Sequence, residues 1–130
     1  MAEMKSETSR TGALGEDIAC TFLIRKGYKI IKRNYRKPWG EIDIIAEKND
    51  EVRFVEVKAM SGNIESISRE SDNYRPEEQI HPMKLKKIVR TAQLYMANDP
   101  EDREYQIDAV GVLLDPITRK ARCRLFEQIL

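Results

Sequence analysis

The chain has 130 residues, the size of one domain. Lys and Arg total 23 against 22 Asp and Glu, a formal charge of +1, and 41% of residues are apolar, a balance that excludes a disordered chain. No stretch approaches the roughly 18 apolar residues of a membrane helix, Met1–Glu7 lacks the apolar core of a secretory signal, and Cys20 and Cys123 are too few for a disulfide framework or a four-ligand zinc site. The expectation is a small cytoplasmic protein with no membrane partner, its cysteines reduced and inert.

Residues 1–10 are polar and read as a flexible N-terminus ahead of a single domain over 11–130. From Thr11 the spacing of Leu14, Ile18 and Phe22, with Ala19 beside them, predicts a helix that ends at Gly27. Glu16 falls on the flank of that stripe, where a carboxylate can look into a cleft. Tyr28–Asn34 reads as a first strand and Pro38-Trp39-Gly40 as a turn. Trp39 reads first as packing that turn onto the sheet, with base stacking as the alternative. Glu41–Glu47 and Glu51–Lys58 are strands rich in β-branched residues, joined by a tight hairpin at Lys48-Asn49-Asp50.

Residues 59–80 lack a sustained apolar period and read as a long loop or flap, a feature that is often functional. His81-Pro82 opens a second helix, His81 as a local cap, with Leu85, Ile88, Val89, Ala92, Tyr95 and Met96 on one face. Lys84, Lys86, Lys87 and Arg90 lie outside that stripe. Tyr105–Leu114 and Ala121–Phe126 close the chain as strands. The order α-β-β-β-α-β-β predicts an α/β fold, a mixed central sheet flanked by helices.

Charge is segregated along the chain. Seven cations and no acid lie between Arg25 and Lys37, and further basic clusters occur at 84–90 and 119–124. A near-neutral protein can therefore present a positive face to nucleic acid.

Two acids stand inside the hairpin strands, where acids are disfavoured. With Asn49-Asp50 as the loop, Asp43 faces Glu56 and Glu41 faces Lys58, with directly opposed Cβ atoms about 5 Å apart. Side-by-side carboxylates repel unless one is protonated or a cation joins them, and hard oxygen donors suit Mg²⁺ or Mn²⁺. Lys58, two residues beyond Glu56, shares its face. A slip of one residue would separate the acids, and for either acid alone an exposed, cation-paired sheet face is the plainer reading.

Gly40-Glu41-Ile42-Asp43-Ile44-Ile45 followed by Phe54-Val55-Glu56-Val57-Lys58 resembles the PD-(D/E)xK signature of the restriction-endonuclease-like superfamily. With Gly12-x-x-Gly15-Glu16-x-x-Ala19, Gly27-Tyr28, Asn34-Tyr35-Arg36 and Asp108, residues 11–127 resemble the YraN-type family of bacterial endonuclease-like proteins. Their layout is similar to that of archaeal Holliday-junction resolvases. The resemblance implies a restriction-endonuclease-like fold and metal-dependent cleavage of DNA, with branched or structured DNA as substrate. It implies Asp43 and Glu56 as metal ligands, with the Val57 carbonyl as a third. Lys58 would activate water or stabilise charge on the phosphate, and Glu16 would supply a further carboxylate.

Two positions depart from the pattern: Ile42 stands where proline precedes the aspartate, and Ala59-Met60 where relatives often carry arginine. Gln93-x-Tyr95 has the wrong spacing for a nuclease motif, and Tyr95 reads as core. Arg33, Arg36, Lys37 and Lys84 are the candidate nucleic-acid contacts. Symmetric cutting of a junction would call for a homodimer. The rival reading is a nucleic-acid-binding module that keeps the fold without turnover.

Overall fold

The computed structural model describes residues 7–63 and 80–130. Helix α1 spans Glu7–Arg25, and strands β1, β2 and β3 follow at Lys29–Lys37, Gly40–Lys48 and Glu51–Ser61. Helix α2 covers Pro82–Met96, and β4 and β5 span Tyr105–Leu114 and Ala121–Phe126. The seven elements appear in the expected order. Three boundaries move by three residues or more: α1 starts at Glu7, not Thr11, β1 runs on to Lys37, and β3 continues to Ser61. Residues 7–10 are thus helical, whereas 1–6, and 64–79 of the expected long loop, lie outside the described residues. Among the described residues no helix is long and apolar enough to cross a membrane.

The sheet has five strands in the order β1-β2-β3-β4-β5. All neighbours are antiparallel except β3 and β4, so the sheet is mixed. A parallel neighbour requires a crossover, and α2 lies in the one between β3 and β4. One core forms where Ala19, Cys20 and Leu23 of α1 meet Ile44, Val55, Val110 and Val112. A second forms where Ile88 and Ala92 of α2 meet Ile42, Ile45, Val52, Phe54 and Ile107. The helices therefore cover opposite faces of the sheet, as the two-sided burial of its central strands requires.

The α2 stripe is as read from the sequence, with Ile88 and Ala92 buried and Tyr95 edge-on to Tyr35 and Phe54 at 5.4 and 5.6 Å. The α1 stripe is turned. Its buried residues are Gly15, Ala19, Cys20 and Leu23, and Leu14 is left 52% exposed. The cause is proximity: a Cβ on Gly15 would run into the Cβ of Ala59 on β3. At so close an approach side-chain size outweighs hydrophobicity, and Leu14, Ile18 and Phe22 move to the margin of the contact.

Strands β1 and β2 change face at one level. Arg33 reaches α1, pairing with Asp17 and Glu16, whereas Tyr35 packs against Tyr95 of α2. Between them Asn34 has φ 52°, a left-handed conformation that asparagine tolerates better than most residues. On the neighbouring strand Ile44 belongs to the α1-side core and Ile42 to the α2-side core. Alternation there breaks at Asp43.

Candidate active site

The hairpin delivers the two acids. Asn49 and Asp50 both have positive φ, 53° and 65°, the signature of a two-residue type I′ turn. That turn sets the register, and the pairs run from Lys48–Glu51 to Ile44–Val55. The next position in this register would set Asp43 opposite Glu56. Here the paired ladder ends, and the Asp43 carboxylate accepts the Val57 backbone N–H at 2.8 Å. Asp43 thus stands between the two faces of the sheet and meets acids from both sides.

Glu56 is the buried one, 4% exposed, and Lys84 of α2 forms an ion pair with it. Burial first, and the charge of Asp43 second, push the Glu56 carboxyl up from its ordinary 4.5 to about 7, against the pull of Lys84. On the other side Glu16 lies 3.4 Å from Arg33, itself fixed to Asp17 at 2.7 Å. The Glu16 carboxyl is raised by burial and by Asp43, and the Arg33 guanidinium opposes this. Asp43 is therefore the common centre of a crowded negative field, with Lys84 and Arg33 countering it from opposite flanks.

These groups open onto a cleft of about 600 Å³ lined by Glu16, Asp43, Glu56, Val57, Lys58 and Lys84. Lys58 is exposed on its rim. Every expected catalytic or metal-binding residue is in this one cleft. Of the expected nucleic-acid contacts, Lys84 lies in the cleft, Arg36 and Lys37 lie in an adjoining groove that shares Lys84, and Arg33 stands behind Glu16.

Other residues have structural work. The Asp108 carboxylate is buried away from the cleft and accepts hydrogen bonds from the Tyr28 hydroxyl at 3.0 Å and the Gln128 N–H at 2.8 Å. His81 caps α2, its Nδ1 accepting the Met83 N–H at 3.1 Å. Cys20 and Cys123 are both free thiols. The ion pair of Lys84 with Glu56 could not be read from the sequence, where Lys84 belonged to a basic run and stood as a candidate nucleic-acid contact.

Among the described residues no three His, Cys, Asp or Glu side chains converge tightly enough to cage a metal ion. Mg²⁺ does not require such a cage, because it keeps several waters and is commonly held by one or two carboxylates together with substrate phosphate. Asp43 and Glu56, pressed together at the cost of a raised carboxyl, have the donor chemistry for that ion or for Mn²⁺.

A family model described as "Uncharacterised protein family UPF0102" matches residues 15–112, from the close-packed Gly15 to Val112 on β4. A UPF0102 protein of Campylobacter jejuni subsp. doylei is 37% identical over 106 residues, covering 82% of this chain and 86% of its own. Another from Campylobacter fetus subsp. fetus is 38% identical over 101 residues, covering 78% and 81%. One from Thermotoga petrophila is 40% identical over 97 residues, covering 75% and 81%. The matched span contains α1 from Gly15 onward, the whole of α2, the Asp43–Glu56 hairpin and Lys58, and so the chain that the motifs of the first helix and hairpin likened to the YraN type belongs to the UPF0102 family.

Proposed function

We propose that this chain is a metal-dependent nuclease that hydrolyses DNA phosphodiester bonds, with branched or structured DNA as its substrate. The observation that carries the reading is the meeting of Asp43 and Glu56 in an open cleft that also contains Lys58 and Lys84. Two acids forced together at the end of a ladder destabilise the free protein unless a cation joins them, and strain of this kind concentrates at working sites.

Asp43 and Glu56, with the Val57 carbonyl, would hold Mg²⁺ or Mn²⁺. Such an ion polarises a phosphate and supplies hydroxide near neutral pH. Lys58 on the rim orients the attacking water or meets the charge that develops on the phosphate. Glu16 accepts hydrogen bonds from water at the cleft wall. Lys84 is the ammonium a phosphate meets where cleft and groove join.

The test compares four-way junction, flap, duplex and single-stranded DNA in Mg²⁺, Mn²⁺ and EDTA. Products should require the metal and fall by roughly 100-fold or more in Glu56→Gln and in Asp43→Asn, at least the effect of losing a supporting group around a metal. A second reading rests on the ion pair of Lys84 with Glu56, which already balances that acid. On it the chain binds nucleic acid without turnover. Salt-sensitive binding equal in wild type and Glu56→Gln, with no products in any metal, would establish that reading and end the first. Symmetric cutting of a junction needs two sites, hence a second copy of the chain.

A further inference from the structure

The groove beside the cleft is unlike it in charge. It has a volume of about 930 Å³ and lies between the Pro38-Trp39 turn and the first turns of α2. Among the described residues six cations line it, Arg36, Lys37, Lys84, Lys86, Lys87 and Arg90, against the single acid Glu41. Arg36 lies 3.6 Å from Glu41, but among the described residues Lys86, Lys87 and Arg90 have no acidic partner. A like-charged row of this kind is costly to assemble and suits a polyanion.

The turn is fixed against the helix. Gly40 approaches α2 so closely that a Cβ there would meet the Thr91 hydroxyl and the Lys87 carbonyl. This contact sets the position of the neighbouring Trp39, yet leaves that residue 40% exposed within the basic groove. A tryptophan whose role was to pack the turn onto the sheet would be buried. An exposed indole among cations offers a flat apolar surface beside phosphate-binding groups, the combination found where single strands bind. The bases of an intact duplex are already stacked and paired, so the indole can stack only on a base freed from its partner.

We propose that this groove binds an unpaired strand of nucleic acid, with Trp39 stacked on one base, Arg36, Lys37, Lys86, Lys87 and Arg90 along the phosphates, and Lys84 marking the passage into the acidic cleft. As a statement of what the cleft receives, this rests on the nuclease reading; as a statement of binding, it does not.

Trp39 is the chain's single tryptophan, so its own fluorescence reports on the groove. The experiment titrates the 130-residue protein in EDTA with a short oligothymidylate and with a fully paired duplex at the same phosphate concentration. The oligothymidylate should quench Trp39 emission and bind more tightly than the duplex. Trp39→Ala, followed by anisotropy of labelled DNA, should weaken its binding roughly tenfold, and Trp39→Phe should recover part of the loss. Lys87→Gln should weaken binding and lower the salt slope by about one.

Equal affinity for both DNAs with no change in emission overturns the proposal, as does full affinity in Trp39→Ala. The two readings fail separately. Quenching by oligothymidylate with no cleavage of any substrate leaves strand binding standing and removes the nuclease. Cleavage that depends on Glu56, with Trp39 silent to every DNA, does the reverse.

Discussion

Glu56 carries its charge at a cost. Its carboxyl is buried, faces Asp43, and is raised to about 7, so the folded protein takes up its proton more readily than the unfolded chain does. The contribution to stability is therefore full below about 4.5 and is lost as pH rises through about 7. Metal-free protein should lose about 3 kcal/mol of stability across that interval, at about 1.4 kcal/mol per pKa unit. Thermal melts in EDTA at the two ends of the interval would show it as a fall in Tm that is markedly smaller in Glu56→Gln, where only the raised carboxyl of Glu16 remains. Equal falls in both proteins would remove Glu56 as the cause. Glu47 and Asp99, held below the usual carboxylate range by hydrogen bonds from Arg103, act in the opposite sense only below about pH 4. The juxtaposition of Asp43 with Glu56 was legible because Asn49-Asp50 fixes a local register. The ion pair of Glu56 with Lys84 was not, because it depends on how α2 docks.

At the scale of elements, α1 shows where hydrophobicity misleads. Leu14, Ile18 and Phe22 have the ideal spacing for a buried stripe, but the sheet accepts Gly15, Ala19 and Leu23 in their place, because α1 and β3 approach too closely at Ala59 for a side chain on residue 15. Nothing in a single sequence shows that distance. The same turn of the helix brings Glu16 to the cleft, so the contact at Gly15 positions a candidate catalytic side chain. Gly15→Ala should destabilise the protein by about 1–3 kcal/mol through overpacking and lower cleavage with it. Gly12→Ala, one turn earlier with nothing within 4 Å, should stabilise by up to about 1 kcal/mol through helix propensity. Urea unfolding of the two variants separates these effects, and equal shifts would refute a packing role for Gly15. The later face change at Asn34 was equally invisible, since asparagine also serves as an ordinary strand or turn residue.

Across the whole molecule, the order of all seven elements could be read from apolar periods and turn residues, while the buried polar links between distant segments could not. Asp108 is the clearest such link. Fully buried on β4, it accepts from Tyr28 after α1, Gln106 on its own strand and Gln128 near the C-terminus, and lies 3.5 Å from Arg53 on β3. Arg53 is itself buried, and its Nε has no hydrogen-bond partner among the described residues. Arg53 would keep Glu51 and Glu127 at 3.2 and 3.1 Å in Asp108→Ala, but three donors would lose their buried acceptor, at a cost of about 3 kcal/mol. Denaturant unfolding should register this loss, and conditions that keep the variant folded should preserve strand binding. Lost cleavage at unchanged stability would instead place Asp108 in the reaction.

The sheet's two outermost strands are both basic. β1 carries Lys29, Lys32, Arg33, Arg36 and Lys37 with no acid, and β5 carries Arg122 and Arg124. An outer strand offers free backbone groups on which another strand can align, the usual start of aggregation, and lysine and arginine are a common safeguard against it. A second molecule joining edge to edge would bring cation against cation along β1. The positive charge proposed to hold a polyanion thus also guards the two edges of the five-stranded sheet against such pairing.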